Sequence, residues 1–170
     1  MDQNVTDRLL KNYFNARKSW GAWCYLNNID LKSNKPEVKN YADNNELLYY
    51  VRYLLLKDLH IELYKILKNS RSNVDNIFKL LKSINSSQAE EHLSILHKFE
   101  DEFKYITNTR DKYFAHLDIN YRDFLRSFNI DNYYVIFDLI EQAIILLGKK
   151  KELLELLETI PSRDDFDLKT

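Results

Sequence analysis

With 170 residues the chain has a suitable length for one domain with a substantial core. It contains only two Gly and two Pro, too few for the many tight turns of β-sandwiches and β-barrels, so its composition favours an all-α fold. A formal net charge of −1 argues against a protein that coats nucleic acid by bulk electrostatics, so any RNA would have to bind at a local cleft. The single cysteine, Cys24, excludes an intrachain disulfide and a cysteine-based zinc site and favours a reducing, cytoplasmic compartment.

The N-terminal half carries apolar residues at the spacing of amphipathic helices. A first helix is predicted over about residues 6–28, and the polar residues between 34 and 45 are interpreted as a connection. Asp43 and Glu46 form a plausible capping pair for a second helix over about residues 45–68. The stripe of the first helix contains Leu9, Tyr13, Ala16, Trp20 and Trp23.

The middle of the chain predicts two further helices after a polar break at residues 69–73. The first is short and lies within residues 74–84. The second begins at a capping box formed by Ser87 and Glu90 and continues toward residue 110. Its apolar stripe contains Leu93, Leu96, Phe99, Phe103 and Ile106.

The C-terminal part predicts a short helical turn over residues 120–129 and a last long helix that begins near Asp131. Residues 1–161 are therefore expected to form one domain, and residues 162–170 a polar tail. The prediction is an antiparallel bundle of four to five main helices with short accessory helices. The N-terminus does not have the pattern of a secretory signal, and no apolar run is long enough to cross a bilayer, so no membrane contact is expected.

Arg110 breaks the apolar pattern of the helix that leads to it. The stripe continues from Phe103 and Ile106 to Arg110, which places a guanidinium at a core-facing position. A guanidinium cannot lose its charge, so it needs a carboxylate, carbonyls or a ligand anion, and such breaks concentrate at functional sites. The alternative is an arginine whose stem packs while its head reaches solvent or Asp111.

His116 lies six residues after Arg110, about −120° around an ideal helix, so the two side chains do not converge on an unbroken helix. Either the helix distorts or ends between them, or each pair meets a second pair across a two-fold axis. Taken alone, His116 is more often structural than catalytic. The same holds for His60, His92 and His97, to which no role is assigned.

Arg110, the polar Asp111, four variable positions and His116 together resemble the signature motif of HEPN domains. The whole string 110–118, Arg-Asp-Lys-Tyr-Phe-Ala-His-Leu-Asp, is similar to the abortive-infection branch of that superfamily, in which Ala-His-x-Asp commonly closes the motif. Residues 50–59 resemble the second helix of that branch more loosely. The specific sequence similarity covers only the nine residues 110–118, and over residues 5–160 the resemblance concerns the helical architecture alone.

The resemblance implies a HEPN-like bundle that cleaves RNA without metal or cofactor, through a composite site at a homodimer interface. Arg110 would bind the scissile phosphate, and His116 would act as general acid or base for attack by the RNA 2′-OH, leaving a 2′,3′-cyclic phosphate and a 5′-hydroxyl. Asp111 would orient Arg110 or His116. Tyr113 would pack or touch the phosphate, and Asp118 would fix the histidine tautomer.

Members of this superfamily act in toxin–antitoxin and antiviral-defence settings, and many are paired with a nucleotidyltransferase-type antitoxin. Some carry His-x-Tyr, whose tyrosine is modified. Here the sequence is His116-Leu117-Asp118, which puts modification at this position in doubt but not ribonuclease activity. The setting and the antitoxin partner are therefore implied by analogy alone.

Two other classes of function fit the same sequence. One is a non-catalytic HEPN module that binds nucleotides or a partner protein. The other is a plain helical interaction module with the aromatic face around Trp20 and Trp23 as its contact surface. A metal enzyme is disfavoured, because the sequence lacks a convincing cluster of metal ligands.

Overall fold

The computed structural model describes residues 3–29, 35–70, 73, 76–114 and 129–160. Within these ranges all regular structure is helical and forms a bundle, so the prediction of an all-α fold is confirmed. The elements are α1 Gln3–Leu26, α2 Pro36–Asn44, α3 Glu46–Leu67, α4 Ile77–Lys82, α5 Ser87–Lys98, α6 Glu100–Thr109, a π-helical turn Arg110–Phe114, α7 Ile130–Leu146 and α8 Lys150–Thr159. None of these helices combines the length and apolarity that crossing a bilayer requires.

Helices α1 and α3 form the most extensive helix pair and run in opposite directions. Ser19 Oγ donates a hydrogen bond to Asp58 Oδ2 at 2.6 Å, while Leu26, at the end of α1, accepts a bond from Arg52 of α3. Residues later in α1 therefore contact residues earlier in α3, which is the arrangement of an antiparallel pair. Because both helices carry long apolar stripes, this antiparallel pair supplies much of the core.

An aromatic stack joins α1 to α7. The Trp20 ring lies 5.1 Å from the Tyr133 ring and 5.6 Å from the Trp23 ring, both nearly parallel to it, and Tyr13 donates a hydrogen bond to Glu141. These pairs show that α7 also runs antiparallel to α1. Trp20 and Trp23 are only 3% and 5% exposed, so the suggestion that they form a contact surface is wrong. They are core residues, because their rings pack against α7 and each other.

Helix α2 occupies the segment that the sequence suggested was a polar connection, and that expectation is wrong. Pro36 is its first residue, where the missing N–H costs nothing. The cap of α3 also differs from the expected Asp43 and Glu46 pair. Asn45 caps α3 instead, since its Oδ1 accepts the Leu48 N–H at 3.1 Å.

A buried arginine attaches α2 to the α1–α3 pair. Arg52 is 6% exposed, and its guanidinium donates to the Asp43 carboxylate and to the carbonyls of Leu26 and Lys39. These partners lie on α1 and α2, so one cation on α3 links three helices. The Arg52 guanidinium lowers the pKa of the Asp43 carboxyl below its usual value.

The predicted single helix leading to Arg110 is split into α5 and α6 at Phe99. Phe99 has φ −102° and ψ 19°, outside the helical region. Three acidic residues, 100–102, follow it and are favourable at the start of a new helix. The cap of α5 is Ser86, whose Oγ accepts the Ala89 N–H at 3.2 Å, one residue earlier than the capping box expected at Ser87.

Two C-terminal predictions fall largely outside the described residues. Of the helical turn expected at 120–129, only residue 129 is described. The tail expected at 162–170 lies wholly outside the described residues. Helix α7 begins at Ile130, close to the predicted position. Helix α8 is separate from α7, because Gly148 adopts φ +79° and its N–H bonds the carbonyl of Ile145 at 2.9 Å, which ends α7.

The two glycines of the chain are expected to respond to alanine in opposite directions. Gly148→Ala should lower the free energy of unfolding by about 1 kcal/mol, because an L side chain is strained at positive φ. Gly21→Ala should raise it by about 0.5–1 kcal/mol, because Gly21 lies inside α1 with open space where the Cβ would go. Urea unfolding of both variants measures this, and changes of the same sign would contradict the assigned backbone geometry.

Candidate functional site

The predicted site begins where α6 changes into the π-helical turn. The α-helix ends at Thr109, and Arg110–Phe114 continue with the wider, i→i+5 spacing that frequently occurs at functional sites. Thr109 is 3% exposed, whereas the Arg110 side chain is 35% exposed. Of the two alternatives for Arg110, the structure therefore favours the second: its head lies near the surface and reaches Asp111.

Tyr64 of α3 forms a platform for two cations. The guanidinium carbon of Arg110 lies 4.6 Å from the centre of the Tyr64 ring, and Lys68 Nζ lies 5.4 Å from it. Tyr64 lies in the last turn of α3, and Lys68 is the residue that directly follows this helix. Both distances are within the range of cation–π attraction, which holds the two charges on one ring.

Asp111 lies between these two cations. Arg110 Nη1 donates to Asp111 Oδ1 at 2.8 Å, and Lys68 Nζ lies 3.8 Å from Asp111 Oδ2. We call Tyr64, Lys68, Arg110 and Asp111 the Arg110 cluster. Its charged side chains are between 32% and 45% exposed and carry one more positive than negative charge. Such a partly desolvated, positively charged surface favours the binding of a small anion.

The π-helical turn is anchored to the core through Phe114. Phe114 is 2% exposed, and its ring lies 4.8 Å from the His60 ring and 5.8 Å from the Tyr53 ring. His60 is itself fully buried: its Nδ1 donates to the Leu56 carbonyl at 2.7 Å, and its Nε2 accepts from the Tyr133 hydroxyl at 2.8 Å. Burial lowers the pKa of His60 to about 4, so it packs as a neutral ring.

The other predicted site residues are not described by the structure. His116 and Asp118 lie outside the described residues, as does the side chain of Tyr113, whose backbone belongs to the π-helical turn. Arg110 and Asp111 are therefore the two predicted site residues that the structure brings together. In the described part of the chain, no three His, Cys, Asp or Glu side chains converge as a metal ion would require.

A cleft of about 210 Å³ opens beside the Arg110 cluster. It lies between the end of α3, helix α4 and the junction of α5 with α6, and we call it the α4–α6 cleft. Lys68 lines the cleft and also belongs to the cluster, so the two are continuous. The other side chains that define its chemistry are Phe78, His97, Phe103, Thr107 and Asn108.

Sequence reasoning missed the contributions of Tyr64 and Lys68. An aromatic and a basic residue four positions apart is a common helical pattern, and nothing in it indicates Arg110 as a partner. The association arises from the packing of α3 against the π-helical turn. His60 was likewise given no role, although it packs directly against Phe114.

Comparisons with known proteins add no relative to this description. No protein-family model matches the chain, no curated protein matches its sequence, and no solved structure matches its fold. The HEPN resemblance therefore depends on the sequence alone, chiefly on residues 110–118.

Proposed function

We propose that this chain is a HEPN-type endoribonuclease that cleaves single-stranded RNA without a metal ion, at a composite site formed by two protomers. The observation that supports the proposal is the Arg110 cluster: two cations and one carboxylate, partly exposed, where the end of α3 meets the π-helical turn that ends two residues before His116. Cytoplasmic toxin–antitoxin or antiviral-defence settings, with a nucleotidyltransferase-type antitoxin or another regulator, accompany the proposal by analogy.

Arg110 is suited to bind the scissile phosphate. A guanidinium has five N–H donors in a rigid plane that matches the spacing of phosphate oxygens. The bond to Asp111 uses Nη1, and Tyr64 covers the guanidinium, which restricts its orientation. Lys68 adds a second positive charge beside the same carboxylate. Both cations would oppose the negative charge that develops on the phosphate oxygens in the transition state.

The proton transfers fall to His116. One histidine removes the proton of the RNA 2′-OH as its oxygen bonds to phosphorus, and a second donates a proton to the 5′-oxygen as the P–O5′ bond breaks. Two protomers supply these two histidines. The products are a 2′,3′-cyclic phosphate and a 5′-hydroxyl, and no metal ion takes part. Imidazole suits both steps, because its ordinary pKa of about 6.5 leaves both protonation states populated near neutrality.

The test is incubation of the purified protein with mixed single-stranded RNA in EDTA. Wild-type protein is expected to leave 2′,3′-cyclic phosphate ends, and His116→Ala is expected to cleave about 10²- to 10⁴-fold more slowly. Arg8→Ala, which removes an exposed arginine of α1, is the control and should retain activity. No cleavage by wild-type protein, or cleavage that depends on a divalent cation, would refute the proposal.

A non-catalytic HEPN module that binds nucleotides or a partner protein is the second candidate. The Arg110–Asp111 ion pair favours it, since Asp111 Oδ1, at 2.8 Å, already occupies one of the guanidinium donors that a scissile phosphate would use. Such a module would bind RNA or a mononucleotide and release it intact. Filter binding of labelled single-stranded RNA, followed by analysis of its length, separates the two candidates in one experiment.

A further inference from the structure

The α4–α6 cleft has an aromatic wall. Phe78 and Phe103 are 4% and 3% exposed, and their rings meet edge to face at 6.0 Å. The ring of His97, at the end of α5, lies 5.8 Å from the Phe78 ring and is exposed. Three flat rings thus border one small cavity. The two phenylalanine rings form the buried floor of the cleft, and His97 supplies the exposed ring, a type of side chain on which unstacked RNA bases commonly stack.

Polar side chains border the same cavity. Asn69 and Asn108 are both exposed and line the cleft. An asparagine amide presents a donor and an acceptor side by side, which is the pattern on the hydrogen-bonding edge of a nucleobase. A purely apolar ligand would leave these groups without a match, so the lining favours a flat ligand with polar edges.

The charges of the cleft connect it to the Arg110 cluster. Lys68 and Lys104 both line it, and the acidic Glu100 is paired with Lys104 at 3.7 Å. Lys68 belongs to both the cleft and the Arg110 cluster, because it lines the cleft and its Nζ lies 3.8 Å from Asp111 Oδ2. A phosphate held by Arg110 and Lys68 would therefore place the base of an adjoining nucleotide at the mouth of the cleft.

We propose that the α4–α6 cleft binds the nucleobase of the nucleotide next to the scissile phosphate of single-stranded RNA. This inference rests on the proposed ribonuclease function and assigns it a substrate subsite. The cleft holds about 210 Å³, below the range of about 300–1,000 Å³ typical of pockets that enclose a whole drug-sized ligand, so its size suits one base rather than two. Asn108 and His97 are the residues that set its specificity.

The first test is binding of the four nucleoside 3′-monophosphates to the full chain, followed by NMR or calorimetry, with inorganic phosphate as the probe for the Arg110 cluster alone. At least one mononucleotide is expected to bind about ten-fold or more tightly than inorganic phosphate. Asn108→Ala and His97→Ala should each remove most of that difference and leave phosphate binding unchanged. Asn44→Ala, which alters an exposed asparagine at the end of α2, should change neither affinity.

The outcomes separate this inference from the ribonuclease proposal. Mononucleotide binding no tighter than phosphate, or insensitive to both cleft variants, would overturn the base site even if RNA is cleaved. Base-dependent binding that both variants weaken supports the site even if wild-type protein cleaves no RNA. If cleavage occurs, the cleft variants should raise KM for RNA several-fold with little change in kcat, whereas removal of a proton-transfer group lowers kcat. A loss of kcat without a change in KM would contradict a binding role for the cleft.

Discussion

Arg110→Ala is expected to lower the rate of RNA cleavage by about 10²- to 10³-fold, the usual effect of removing one preorganised donor from a developing anion. The effect should appear in kcat as well as in kcat/KM, because the charge that Arg110 opposes increases in the transition state. Folding should be unaffected, since Arg110 lies at the surface of the π-helical turn and not in the core. Single-turnover cleavage and thermal unfolding measure the two properties separately.

Further substitutions in the Arg110 cluster separate the contributions of charge, donor geometry and ring contact to the cleavage rate. Arg110→Lys keeps the charge but loses the planar fork, so it should recover little of the rate. Lys68→Ala should reduce the rate less than Arg110→Ala, because the lysine ammonium is a point charge without the planar fork of donors that a guanidinium offers to phosphate oxygens. Tyr64→Leu should release both cations at once. Equal rates for Arg110→Ala and wild type would show that this guanidinium is not part of the reaction.

The long helices were predictable because they carry continuous apolar stripes. The stripe that begins at Leu9 and the one that ends at Leu147 place α1 and α7 within a few residues of their observed bounds. Helix α2 was missed because it buries only Ala42 and so has no stripe to detect. Its start signal was Pro36, which the sequence offers equally as a turn residue.

The break between α5 and α6 at Phe99 could not be predicted from the apolar spacing, because the apolar stripe continues across it. Leu96, Phe99 and Phe103 keep the same spacing on both sides of it, so an apolar stripe does not register the change in direction. The acidic run that follows was the available signal. That break matters for the site, because it brings His97 to the edge of the α4–α6 cleft.

The candidate site was predictable only where it is local. Arg110 and Asp111 are neighbours in sequence, and their contact follows from that. Tyr64 and Lys68 join them across more than forty residues through the packing of α3 on the π-helical turn, which no short motif encodes. The π-helical turn itself also lacks a sequence signature, and Thr109, just before it, lies in the core rather than Arg110.

Lowering the pH from 6.5 to 4 is expected to remove about 3 kcal/mol from the free energy of unfolding, because of His60. Burial lowers the pKa of His60 to about 4 in the folded chain, whereas an unfolded histidine titrates near 6.5. Between these values the unfolded state binds more protons, so acid favours unfolding. The contribution of His60 is complete above about pH 6.5 and lost by about pH 4, below which it changes no further.

Urea unfolding at pH 7 and pH 5 isolates this effect, since about 2 kcal/mol of it falls in that interval. The double variant His60→Leu/Tyr133→Phe removes both hydrogen-bonding partners together and should unfold with little dependence on pH between these values. His97→Gln, which alters an exposed histidine, should keep the wild-type dependence. Asp43, whose pKa is lowered by Arg52, changes the free energy of unfolding mainly at more acidic pH. A double variant that retains the full pH dependence would show that a group other than His60 causes it.

Because Phe114 packs on His60, the same acidification should also loosen the π-helical turn and reduce anion binding at Arg110 before the whole chain unfolds.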